Sequence, residues 1–129
     1  MSRFLSKLFL EDNDGFPFTV MGVLSYESDR LKTTVVVPPG FKTDLASIPQ
    51  VLWNVLPPVG QYDRAAVIHD YLYKFPGTVS RVDADAVLNE AMDVLGVGRV
   101  KRWIIYAGVR VGGWKPWGAY REAEQHATR

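Results

Sequence analysis

Residues 62–75 read YDRAAVIHDYLYKF and stand between Pro57-Pro58 and Pro76-Gly77. Apolar positions recur here at helical spacing, and a Pro-Gly pair does not continue a helix, so a helix over 62–75 is predicted. What precedes it follows another period. FPFTVMGVLSYES (16–28) and LKTTVVV (31–37) are rich in Val, Thr, Phe and Tyr, and the second run closes on Pro38-Pro39-Gly40. They predict two or three antiparallel strands. A short helix over SIPQVLWNVL (47–56), with Ser47 and Gln50 at capping-box spacing, follows the strands. Beyond residue 75 the helical period returns. SRVDADAVLNEAMDVLG opens on Ser80 as N-cap with Asp83 in the third helical position and closes on Gly96. Residues 99–111 form a further helix, ended by Gly112-Gly113. The expected fold is therefore α+β, a small N-terminal antiparallel sheet followed by a three- to four-helix half. A single domain over 1–129 is expected, with strands mainly in 1–45, helices in 46–112 and an extended aromatic and basic tail in 113–129.

The bulk composition fits this reading. A chain of 129 residues buries about two-thirds of its unfolded-state surface. With 47% hydrophobic residues, 22% charged and a net charge of +1, it is an ordinary globular composition. The absence of cysteine excludes disulfides, thiolate zinc sites and a cysteine nucleophile. The start, MSRFLSKLFLEDNDG, has its apolar run broken by Lys7 and lacks a small-residue cleavage pattern, so no signal peptide is expected, nor a transmembrane segment. Charge is uneven: residues 1–98 hold 8 Lys/Arg against 12 Asp/Glu, and residues 99–129 hold 7 against 2. A net charge near zero gives little phosphate-driven affinity, so no specific nucleic-acid binding is expected.

The helix over 62–75 places two polar residues among apolar ones. The helical neighbours of His69 are Ala65, Ala66, Leu72 and Tyr73, so its ring points along the buried stripe and needs a polar partner inside. The next helix supplies one. Asp85, Leu88, Met92 and Leu95 fall at spacings of three and four, which puts the Asp85 carboxylate on the inward face. A connection this short makes the two helices antiparallel, so Asp85 meets His69. A carboxylate on one ring nitrogen fixes the tautomer and leaves the other nitrogen as a base able to activate water or a hydroxyl. Asp70 lies about 100° further round, four residues before Lys74. It either pairs with that lysine or, with Asp44 and backbone carbonyls, holds a hard cation such as calcium.

Two resemblances follow from these residues. The run G-x-Y-x-x-A-A-x-x-H-D-x-x-Y from Gly60 to Tyr73, with Ala84-Asp85 after it, resembles the active-site helices of phospholipase A2 and of phospholipase-like domains in viral capsid proteins. The resemblance implies His69 as base, Asp85 as the residue that orients it and Asp70 as a calcium ligand. It covers about a quarter of the chain, and PPVGQY lacks that family's glycine-rich calcium loop. The second covers nearly all of it. VPPGFKTDLASIP, LWNVLPPVGQY, HDYLY and the acidic helix, in that order, are similar to a bacteriophage-encoded family designated a domain of unknown function. That resemblance implies a phage or prophage origin and supplies no activity.

Each residue also has a plainer reading: His69 and Asp85 as a core hydrogen bond, Asp44 as a turn-former, Ser47 as an N-cap and His126 as a polar tail residue. In RVKRWIIYAGVRVGGWKPWGAYR, Trp103 and Ile104 are expected in helix packing, and Trp114 to Tyr120 in docking another protein. A surface seating Trp at lipid headgroups is the third reading of that stretch. Two functions are therefore expected from the sequence. One is a small phage hydrolase of an ester or amide in a lipid or envelope component. The other is a non-catalytic tail or tail-tip protein, bound to other virion proteins through its C-terminal tail, in which the same cluster fixes helix packing. The place of action is accordingly the virion or the infected bacterial cell.

Overall fold

A computed structural model describes residues 2–8, 10–11, 18–43, 48–49, 51–52 and 63–127. Among the described residues six short strands, β1 (Arg3–Phe4), β2 (Leu10–Glu11), β3 (Phe18–Val20), β4 (Leu24–Ser28), β5 (Thr33–Val37) and β6 (Lys42–Thr43), precede four helices. These are α1 (Asp63–Lys74), α2 (Arg81–Val94), α3 (Arg99–Gly112) and α4 (Trp114–Ala127). The α+β expectation holds. The strands form two antiparallel three-stranded sheets, in the orders β1-β4-β5 and β2-β3-β6.

The β4-β5 hairpin shows why these residues are strands. Leu24, Tyr26 and Ser28 of β4 and Val35 and Val37 of β5 are buried, while the residues between them face outward, which is the period of two that the pleat imposes. Tyr26 stands opposite Val35 and Leu24 opposite Val37. Glu90 of α2 fastens this hairpin to the helices. It accepts hydrogen bonds from the Tyr26 hydroxyl (2.7 Å), the Ser28 hydroxyl (2.8 Å) and the Arg30 backbone N–H (2.9 Å). Replacing Glu90 by Ala is expected to cost about 1–3 kcal/mol, because two buried hydroxyls lose their acceptor. Urea unfolding checks it.

Helix α1 is the axis of the core. Every residue from Ala65 to Asp70 is buried, so the helix is enclosed all round rather than along one stripe. It packs against α2, α4, β5 and β6. Helix α2 begins where the sequence places it, with the Ser80 hydroxyl accepting from the Asp83 N–H (3.1 Å). Its end is a Schellman motif. Gly96 has φ 86°, its N–H bonds Asp93 O (3.0 Å) and the Val97 N–H bonds Met92 O (2.9 Å).

The C-terminal third departs from expectation. The tail expected to be extended after Gly112-Gly113 is helix α4. Gly113 keeps right-handed helical dihedrals, φ −73° and ψ −15°, and its N–H bonds Val109 O. The glycines are there for closeness instead. A Cβ on Gly112 would meet the Pro49 ring at 3.0 Å, and one on Gly113 would collide with the Tyr73 hydroxyl. Pro116 is accommodated because first-turn N–H groups have no intrahelical acceptor. Trp103 and Ile104, expected in helix packing, are exposed; Ile105 and Val109 are the buried residues of α3. In the stretch assigned to docking, Trp117 and Tyr120 pack on the core and Trp114 is exposed.

Of the short helix expected over 47–56 only residues 48–49 and a turn at 51–52 are described; the rest of it, its cap Ser47 and the candidate ligand Asp44 lie outside the described residues. The side chain of His126 lies outside them as well. Among the described residues no helix is long and apolar enough to cross a membrane.

Candidate functional site

Helix α1 carries His69 and Tyr73 one turn apart, and α2 presents Asp85 to both. The Nε2 of His69 lies 2.7 Å from Asp85 Oδ1, and the Tyr73 hydroxyl donates to the same oxygen at 2.6 Å. A carboxylate accepts, so Nε2 of His69 is the donor in this contact. His69, Asp85 and Tyr73 are all fully buried, and the His69 and Tyr73 rings are 4.3 Å apart.

The other carboxylate oxygen is held by two arginines. Arg110 Nη1, from the last turn of α3, donates to Asp85 Oδ2 at 2.8 Å, and Arg81 Nη1 lies at 3.4 Å. Arg81 also donates to Val109 O (3.1 Å) and Arg110 O (3.3 Å), the carbonyls that end α3. One carboxylate thus ties α1, α2 and α3 together. Burial alone would push the Asp85 carboxyl up, but the bonds from His69, Tyr73 and Arg110 hold it below the ordinary carboxylate range. Burial, and then donation to Asp85, push the Tyr73 hydroxyl well above its ordinary value.

Asp70 follows His69 on α1. It is fully buried. Its Oδ2 accepts from the Thr43 hydroxyl of β6 at 2.6 Å and stands 3.7 Å from the Lys74 ammonium. Lys74 also donates to Lys42 O (3.1 Å) and lies over the Phe41 and Tyr120 rings, at 5.4 and 5.5 Å. Calcium takes six to eight oxygen ligands. Among the described residues no group of three His, Cys, Asp or Glu side chains suited to a metal occurs, and Asp44, the other candidate ligand, lies outside them.

Sequence reasoning brought His69 and Asp85 together and missed the arginines. Arg81 carried a signal, since it stands four residues before Asp85 on one helix. Arg110 carried none, because its contact exists only once α3 has packed.

A family model described as protein of unknown function (DUF1353) matches residues 18–109. The chain belongs to that family. No curated protein and no solved structure matches it. The family match contains His69, Asp70, Tyr73, Arg81 and Asp85, whereas Arg110 and all of α4 lie beyond it. The outer layer of the site is therefore built by a segment outside the family model.

Trp117 of α4 closes this layer, edge-on to the Tyr73 ring at 5.1 Å. Gly113→Ala tests how tightly it is packed. The added methyl meets the Tyr73 hydroxyl and lies 3.1 Å from Arg81 Nη1. A loss of about 1–3 kcal/mol is expected from overpacking. Gly118→Ala on the open side of α4, where nothing lies within 4 Å of an added Cβ, is expected to gain up to about 1 kcal/mol. Thermal unfolding of the two variants checks both signs.

Proposed function

We propose that the protein is a small hydrolase, phage-encoded, that cleaves an ester or amide bond in a lipid or envelope component. One observation carries the reading: a single carboxylate oxygen fixes His69 Nε2 at 2.7 Å and is itself fixed by Tyr73 at 2.6 Å. In this reading Nδ1 takes a proton from water or a hydroxyl as it attacks a carbonyl carbon and returns it to the leaving alkoxide or amine. Asp85 stabilises the imidazolium formed and holds the ring in one orientation, as the carboxylate of a catalytic triad does. Calcium has no step in this scheme. Support also comes from the resemblance of the H-D-x-x-Y run, His69 to Tyr73, and of Asp85 to phospholipase A2 active-site helices. The test is turnover of phospholipid vesicles and of simple ester and amide substrates by the intact protein. Turnover of none of them removes the reading.

A second reading is favoured by a different observation, the complete burial of His69 and Asp85 together with the two arginines on Asp85 Oδ2. In it the protein is a non-catalytic virion component and Asp85 is a packing device that joins three helices. Buried networks of this kind perturb ionisation whether or not they do chemistry.

A further inference from the structure

We propose that the outward face of α3 is a docking surface for an anionic lipid bilayer. Helix α3 carries two apolar stripes. Ile105 and Val109 form the buried one. Val100, Trp103, Ile104 and Val111, with Trp114 at the start of α4, form the other, and they are 73%, 68%, 42%, 77% and 64% exposed. Their spacing of three, four and seven residues is that of one helix face. Gly113 has helical dihedrals, so Trp114 prolongs the stripe beyond α3. From Val100 to Trp114 it runs about 21 Å at the helical rise per residue. Exposed apolar side chains are ordinarily scattered singly, and a contiguous stripe with two tryptophans marks a surface that meets something.

Charge decides what it meets. From Val94 to Arg121 the chain has six Lys/Arg and no Asp or Glu. Arg102, Arg110 and Arg121 are engaged within the fold. Arg99, Lys101 and Lys115 are exposed around the stripe. A second copy of this chain would set these cations against one another, so the charge selects an anionic occupant. An acidic protein would have to match the register of the stripe. An anionic bilayer has only to be flat: the helix lies in the interface plane, the apolar face enters the headgroup boundary, the indoles sit at headgroup level and the cations reach the phosphates. This surface does not rest on the hydrolase reading, and its test measures no turnover.

The experiment is flotation of the full chain with vesicles of phosphatidylcholine alone and of phosphatidylcholine with phosphatidylglycerol in equal parts, with tryptophan emission recorded. Wild type is expected to float with the anionic vesicles, shift its emission to the blue and come off as salt rises. Zwitterionic vesicles should leave it in solution. Trp103→Ser with Trp114→Ser, and separately Lys101→Glu with Lys115→Glu, should each lower the bound fraction at least about tenfold with melting temperature unchanged. Wild type that stays in solution with both vesicles overturns the proposal, and so do double variants that bind as wild type does. Dimerisation in analytical ultracentrifugation that the tryptophan pair abolishes, without vesicle binding, would make the stripe an interface between copies instead.

Discussion

Asp85→Asn is expected to destabilise the protein by about 3–5 kcal/mol, the cost of leaving buried or half-buried charge without its partner. The amide removes the negative charge that Arg110 meets at 2.8 Å and Arg81 at 3.4 Å, and it offers one acceptor oxygen where the carboxylate served four donors. The damage should not stay local, because Arg81 also holds the carbonyls that end α3. The pH dependence has a definite sign. The folded carboxyl lies below its ordinary value, so the unfolded chain binds the proton more readily. Its stabilisation is therefore complete above about pH 4, the ordinary aspartate range, and is lost as pH falls through the folded value. Denaturant midpoints of wild type and Asp85→Asn should differ most near neutrality and converge in acid. A constant difference across that range would mean that Asp85 does not act as a charge.

The contact between His69 and Asp85 was legible in the sequence, because helical spacing put both on inward faces and six residues join their helices. Ser80 and Gly96 were legible too, since a cap is a local arrangement with a local residue code. Gly112-Gly113 was misread for a physical reason. A glycine kept to let Pro49 and Tyr73 approach has the same letter as one kept to break a helix, and only the packing distinguishes them. Trp103 and Ile104 failed similarly. Helix α3 has apolar residues on two faces, and nothing local says that Ile105 and Val109 face the core. Arg110 reaches Asp85 across 25 positions of sequence, a contact that no spacing rule encodes. Asp70 looked lateral on a helical wheel and is buried because β6, a separate element, covers it through Thr43.

His69→Asn is expected to abolish most of the hydrolysis, at least about a hundredfold, because it keeps a polar side chain and deletes the proton acceptor. It also takes a donor from Asp85, whose remaining bonds to Tyr73, Arg81 and Arg110 stay in place. The stability cost is therefore expected near about 1–3 kcal/mol, small enough to assay a folded variant below its melting temperature. Rate and stability thus separate the two readings. A packing device loses only the second.

The most direct measurement is the hydrolysis rate of phospholipid vesicles and of simple ester and amide substrates by wild type and His69→Asn, each assayed below its own melting temperature. The base reading predicts turnover of at least one substrate by wild type and a loss of at least about a hundredfold in the folded variant. Wild type that turns over none of them, beside a His69→Asn variant that merely melts earlier, would contradict it and leave the His69–Asp85 pair as a joint between helices.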